Sequence, residues 1–304
     1  MKTALTAPAS TSHDANDRLG LLLAALSAAG LGLAVALARF AYQGGANGLT
    51  VATMRAALAA LGLLVFCRLT RRHLRLPFST WLHCLGLGAL MAMTNYGNVG
   101  AVEFIPIGLA ALLFFTFPPI TALIHIAVLR ERLSLAKLLA VTLAFIGIAL
   151  MLGVSLGASD WRGIALSLTA AVAAAWNPVW LARKVRHIDM LVLTFHMAAV
   201  AACILITASV LSGRFQPPHS AIGWFGLSSV IILQTSSLPV YYLAVARLGA
   251  LKSAMVTNVQ PVVSIAAAFL LYGEVLTPVQ FLGGGLVLAG IWLMQHHDRH
   301  RQRP

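Results

Sequence analysis

The sequence predicts an all-α integral membrane protein with ten transmembrane helices arranged as two inverted five-helix repeats. Three observations predict it. Only 10% of the 304 residues are charged while 60% are hydrophobic, against roughly 25% charged in a soluble domain. Ten apolar runs can be drawn at about 20 residues each, the length that crosses a bilayer core. Finally, Pro118–Glu131 (PPITALIHIAVLRE) and Pro261–Glu274 (PVVSIAAAFLLYGE) write one pattern twice, 143 residues apart.

In chain order, a polar arm (1–18) precedes apolar runs at 19–38, 49–67, 81–100, 107–129, 134–156, 163–182, 190–212, 221–245, 250–272 and 278–295. Ala36-Leu37-Ala38 mimics a signal-peptidase site, but the first run is long enough to span, and the repeat requires it. Ser134 and Thr277 are placed to cap the fifth and tenth helices, and Pro278 suits a first helical position. A basic tail, 296–304, closes the chain. With the N-terminus cytoplasmic, all but four of the 21 Lys and Arg residues fall on the cytoplasmic side; the exceptions are Arg39, Arg162 and Arg214 outside and Arg55 within a helix. That bias follows the positive-inside rule and supports ten spans with both termini cytoplasmic. The net charge of +13 therefore reads as topology, and no nucleic-acid partner is expected.

The 143-residue offset also aligns Gly147 with Gly290, Leu139 with Leu282, and Asp17 and Gly20 with Asp160 and Gly163. The predicted domains are thus two five-helix repeats, 19–156 and 163–295. Five is odd, so the second repeat enters from the opposite side. Folds of this kind place substrate near the midplane between the halves and alternate access by rocking one half on the other.

On the two proline-to-glutamate segments, the glycine-bearing helices FIGIALML (145–152) and VLAGIWLM (287–294), and Arg55 in MRAALAALGLL, the chain resembles the EamA-type transporters of the drug/metabolite transporter superfamily. The resemblance covers about 19–295. It implies a ten-helix bundle and secondary transport of small metabolites, often export across a bacterial inner membrane.

Several polar residues within the spans are candidates for substrate binding. Arg55 lies about two turns into the second helix, where it either snorkels outward or faces a cavity and holds a carboxylate or phosphate. Asn95, Trp176, Asn177, Gln234, Asn258 and Gln260 are further candidates, since an amide in hydrocarbon needs a partner, either substrate or another helix. Pro118 and Pro261 break their helices, and the carbonyls so freed are tolerated only against protein or a wet cavity. Glu131 and Glu274 read as structural hairpin residues beside the helix starts, on opposite membrane faces. His125 and His196 read as neutral side chains bonded to a neighbouring helix rather than as a proton relay. All eight acidic residues lie outside the spans or at their edges, so a midplane carboxylate relay is not expected.

No HExxH, aspartate-rich site or nucleophile elbow is present, and Cys67, Cys84 and Cys203 match no metal or redox spacing. Neither an enzyme nor a metal or cofactor is expected. The expected function is a multi-pass inner-membrane secondary transporter of a small polar metabolite, an amino acid or organic acid, working by alternating access in the export direction. A homodimer is compatible with the chain. The alternative is a non-transporting sensor or assembly protein on the same fold.

Overall fold

The structure, a computed structural model, describes residues 10–101, 104–105, 107–131, 133–153, 160–273 and 277–301. The described residues form helices joined by short turns. These are α1 (Ser10–Gln43), α2 (Gly48–Leu69), α3 (Phe78–Gly100), α4 (Ile107–Phe114), α5 (Phe117–Leu123), α6 (Leu135–Leu152), α7 (Trp161–Lys184), α8 (Met190–Ser212), α9 (Ala221–Leu248), α10 (Ala250–Thr257), α11 (Val259–Tyr272) and α12 (Pro278–Arg301). Eight membrane-crossing stretches meet the length and hydropathy of a span, and Pro278–Met294 is a shorter apolar helix. The remaining leg is α3, packed against α7 and α8.

Two legs are broken, and at matching places. The fourth consists of α4, a turn at Phe115–Thr116, α5 and a π-turn over Ile124–Val128; the ninth consists of α10, a turn at Asn258 and α11. The breaks coincide under the 143-residue offset. Pro118 and Pro261 each deprive the carbonyl four residues back, on Phe114 and Thr257, of its helical donor. The first leg is longer than its apolar run, with α1 extending from Ser10 to Gln43. Hydropathy marks only its middle; the ends are polar but helix-compatible, until Gly44 and Gly45, the latter at φ +95°, turn the chain.

The halves are related by a pseudo-two-fold axis that can be read in individual contacts. A Cβ on Gly147 would lie 2.6 Å from the Gly283 carbonyl and 2.8 Å from the Val287 nitrogen; one on Gly290 would lie 2.7 Å from the Ala140 carbonyl and 3.0 Å from the Ala144 nitrogen. Each member of one set lies 143 residues from its counterpart in the other. Gly20 against Leu248 and Gly163 against Ile105 repeat the relation elsewhere. Helix pairings obey it too. Exchanging the halves turns α1·α9 into α7·α3 and α2·α9 into α8·α3, while α2·α8 and α6·α12 map onto themselves. The helix starts agree as well. Ser134 accepts from the Lys137 amide, and Thr277 and Gln280 cap each other's backbone reciprocally at 2.9 and 3.3 Å, a capping-box arrangement.

Glycine is what makes this packing available. Lipid tails are as apolar as leucine, so helices in a bilayer associate through close backbone approach rather than through hydrophobic exclusion. Gly147→Ala or Gly290→Ala should therefore lower thermal stability in detergent by an amount typical of overpacking, about 1–3 kcal/mol. Gly285→Ala, where a Cβ meets nothing within 4 Å, should leave the melting temperature unchanged or raise it.

Candidate substrate site

The two halves enclose a cavity of about 610 Å³. Its walls keep the two-fold relation: Ala34 and Asn177, Met91 and Gln234, Asn95 and Leu238 are lining residues in pairs 143 apart. Phe114 with Thr257 and Phe117 with Gln260 continue the series at the two breaks. In each pair at most one member carries an amide or hydroxyl, so the frame is symmetric and its chemistry is not.

Arg55 faces this cavity from α2. Its Nη2 donates to Asn95 Oδ1 at 2.7 Å and, at 3.4 Å, to the Asn95 carbonyl on α3. Nε has no protein acceptor. A guanidinium carries five donors, and the two asparagine oxygens leave part of that capacity unused. An arginine near the middle of a helix costs about 2.5–3.5 kcal/mol to insert, and here it stands beside a neutral amide in a cavity with a donor that the protein does not satisfy. Asn177 donates to the Leu87 carbonyl at 3.0 Å while its Oδ1 lacks a donor. Gln234, on α9, is buried and lines the cavity, as does Gln260 beside the second break.

The other candidates lie elsewhere. Trp176 packs into the apolar cluster behind the wall. Asn258 is buried in the turn between α10 and α11, its Nδ2 3.9 Å from Met255 Sδ. Pro118 and Pro261 are buried and set the breaks without lining the space. Glu274 lies outside the described residues. His196 bonds within its own helix, to the Val192 carbonyl at 2.8 Å, and not to a neighbour. Sequence reasoning missed Arg39, whose guanidinium sits 4.6 Å over the Tyr272 ring at the cavity's end. It also missed the phenylalanines of the first break, which in sequence look like lipid-facing residues. The offset would have found the latter: Phe114 and Phe117 stand where the second copy has Thr257 and Gln260.

Cross-contacts identify two faces. One joins the α1–α2 turn to the α8–α9 loop: His219 donates to the Gly44 carbonyl and Gln216 to Thr50 Oγ1. Arg39, Tyr272 and the start of α2 are at this end, and they border the cavity. The opposite face carries the start of α1 and three ion pairs, each linking one half to the other. Arg72 pairs with Asp189, Glu131 with Arg183 at 2.9 Å, and Asp17 with Lys252 at 3.5 Å. Glu131 also bonds His125 Nδ1 at 2.6 Å, and its amide donates to the His125 carbonyl at 2.8 Å. It thus fastens the turn after the fourth leg to its own helix end and to α7. Among the described residues, no cluster of His, Cys, Asp or Glu could hold a metal ion.

The sequence profile of the EamA-like transporter family matches residues 18–153 and again 161–295. The chain belongs to the EamA-like transporter family. This EamA protein is 26% identical over 272 residues to the threonine/homoserine exporter RhtA of Escherichia coli K12, covering 88% of each chain. It is 28% identical over 261 residues, 84% of each chain, to a probable terminal-alkyne amino-acid exporter of Streptantibioticus cattleyicolor. A solved structure described only as "Crystal structure of protein" superposes with a TM-score of 0.75 over 95% of this chain and 99% of that one. At 16% identity it shows the shared fold alone. The EamA protein is a multi-pass membrane transporter, and the relatives named above are exporters of amino acids by their descriptions.

The Glu131 contacts make stability depend on pH. The hydrogen bond from His125, and then Arg183, hold its carboxyl below the ordinary range despite partial desolvation. A depressed native pKa contributes stability that is present above the unfolded value and is lost as pH falls through the native one. Thermal melts of wild type and Glu131→Gln should differ by a constant amount at neutral pH, with wild type higher. The gap should close as pH falls below the ordinary carboxylate range. At 44% side-chain exposure the gap is expected to be small.

Proposed function

We propose that the protein is a secondary transporter that exports a small metabolite bearing a carboxylate, an amino acid or organic acid, across a bacterial inner membrane by alternating access. The observation that carries this reading is Arg55, a guanidinium with unused donors in a cavity whose walls come from both halves. Charge-assisted bonds to a carboxylate are the natural use of such a fork. The exporter names of the relatives support the direction. The gathering of basic residues on the face that carries the start of α1 supports cytoplasmic termini.

The repeats, 19–156 and 163–295, are in this reading the bodies that move. Three inter-half ion pairs hold the cytoplasmic side shut while the cavity borders the opposite face. Exposed pairs contribute about 0.2–1 kcal/mol each, so together they supply a bias of at most a few kcal/mol. A bias of that size leaves the other state thinly populated and open to selection by ligand. The broken fourth and ninth legs supply the hinges, since among the described residues it is within these two legs that the helix is interrupted.

Counterflow of amino acids and organic acids in proteoliposomes tests the reading. Arg55→Gln should slow exchange of the transported solute by about tenfold to 100-fold, the worth of one or two charged hydrogen bonds. Asn95→Asp should raise thermal stability by giving Arg55 a resident carboxylate, and stop exchange by occupying the site. Unchanged exchange in both variants would refute the assignment.

A further inference from the structure

The two breaks are copies of one element with opposite chemistry. Phe114, Phe115 and Phe117 in the first stand where Thr257, Asn258 and Gln260 stand in the second. The three rings form one cluster, with centroids 5.5, 5.6 and 6.1 Å apart, and all three line the cavity. Across from them, Thr257 and Gln260 line it from the second break. The cation is equally one-sided, because Ala198 is the counterpart of Arg55. A symmetric frame therefore encloses a site with an aromatic wall, an amide wall and the Arg55 guanidinium lodged between α2 and α3, while the Arg39 guanidinium is stacked on Tyr272 at one end. Among the described residues no carboxylate lines the cavity.

We infer that this cavity selects carboxylates carrying a bulky apolar group, an aryl or large alkyl substituent, over the short hydroxylated amino acids in whose name RhtA is known. This rests on the carboxylate reading above and narrows it. The ligand carboxylate meets Arg55, its apolar body lies on the Phe114–Phe115–Phe117 wall, and an amino group, where present, meets only neutral amide oxygens such as Asn177 Oδ1. An aromatic ring buries about 150–250 Å² and gains further from edge or offset contact with other rings. A threonine-sized side chain would leave that wall unfilled and would carry its hydroxyl to aromatic rings that offer no side-chain acceptor. An ammonium without a carboxylate has no anionic partner there and faces the repulsion of Arg55. Phe115 and Phe117 are the specificity-determining residues.

The test is ligand-induced thermal stabilisation and calorimetry on the purified full chain with four probes: L-phenylalanine, 3-phenylpropionate, phenethylamine and L-threonine. Binding to the native state raises the melting temperature. L-Phenylalanine and 3-phenylpropionate should bind at least about tenfold more tightly than L-threonine, the scale of a pocket's discrimination by one or two methylene equivalents. Phenethylamine should give no shift, and Arg55→Gln should abolish the shift for both carboxylates. Phe117→Gln, which writes the second break's residue into the first, should narrow the preference for phenylalanine over threonine. The ranking on wild type decides the matter even where that variant folds poorly. L-Threonine binding as tightly as L-phenylalanine, with the binding lost in Arg55→Gln, would overturn the apolar preference and leave the carboxylate exporter intact. Phenethylamine binding better than 3-phenylpropionate would overturn both. No shift with any of the four would overturn the preference.

Discussion

Gly147 and Gly290 let the backbones of α6 and α12 touch at two points that exchange under a half-turn. A contact that close leaves no room for a side chain at either position, and it fixes the axis about which the two halves are related. Nothing in the hydrocarbon distinguishes one apolar helix surface from another, so the register of the bundle has to come from shape. Small residues provide that shape again where Gly97 meets the Leu166 carbonyl and Gly226 meets the Ala41 nitrogen. With the axis fixed, the broken fourth and ninth legs are brought to the two walls of one cavity. The break in each leg, costly in lipid, becomes tolerable because it faces that space.

Duplication supplies the frame, and divergence supplies the chemistry. Had both copies kept the same residues, the cavity would carry two arginines or none at this level of α2 and α8, and two aromatic walls or two amide walls. Instead Arg55 has Ala198 as its counterpart and Phe117 has Gln260. In the proposed reading, the site orients a ligand because the copies disagree at the cavity wall. They agree where they pack: Gly147 with Gly290, Gly20 with Gly163, and the helix caps Ser134 with Thr277. On the far side, ion pairs between halves do a different task. They are exposed or half-buried and individually weak, which suits contacts that part and re-form in the proposed cycle.

Much of this was legible in the sequence, for reasons that differ by residue. The paired prolines and glycines showed the duplication because breaks and close approaches restrict residue choice. Arg55 and the amides at 95, 177, 234 and 260 stood out because polar groups in an apolar run need a reason to be there. The bonding of Arg55 to Asn95 was not legible, since the rotation of one helix against another follows from packing that periodicity does not report. Trp176 and Asn258 look the same in sequence as the residues beside them, yet a rotation of one residue puts them behind the wall. The apolar run ends at Ala38 and leaves Arg39 on the outside, whereas α1 continues to Gln43 and stacks Arg39 on Tyr272. The phenylalanines of the first break carry no signal on their own, because an apolar ring facing lipid and one facing a cavity are written alike.

Sidedness of the cavity bears most directly on the whole account. Ser264 lines it from α11 and can be made the only thiol by Ser264→Cys with Cys67, Cys84 and Cys203 replaced by serine. Labelling by a membrane-impermeant maleimide, applied separately to each face of oriented vesicles, reports which way the space opens. Fast labelling from the face of the Gly44 and His219 turn is predicted, with protection from the face of the Arg72–Asp189 and Glu131–Arg183 pairs. Charge reversal at Arg72 and Arg183 should relieve that protection. Equal labelling from both faces, or fast labelling only from the ion-paired face in the unaltered protein, would contradict a two-fold transporter closed by contacts between its halves.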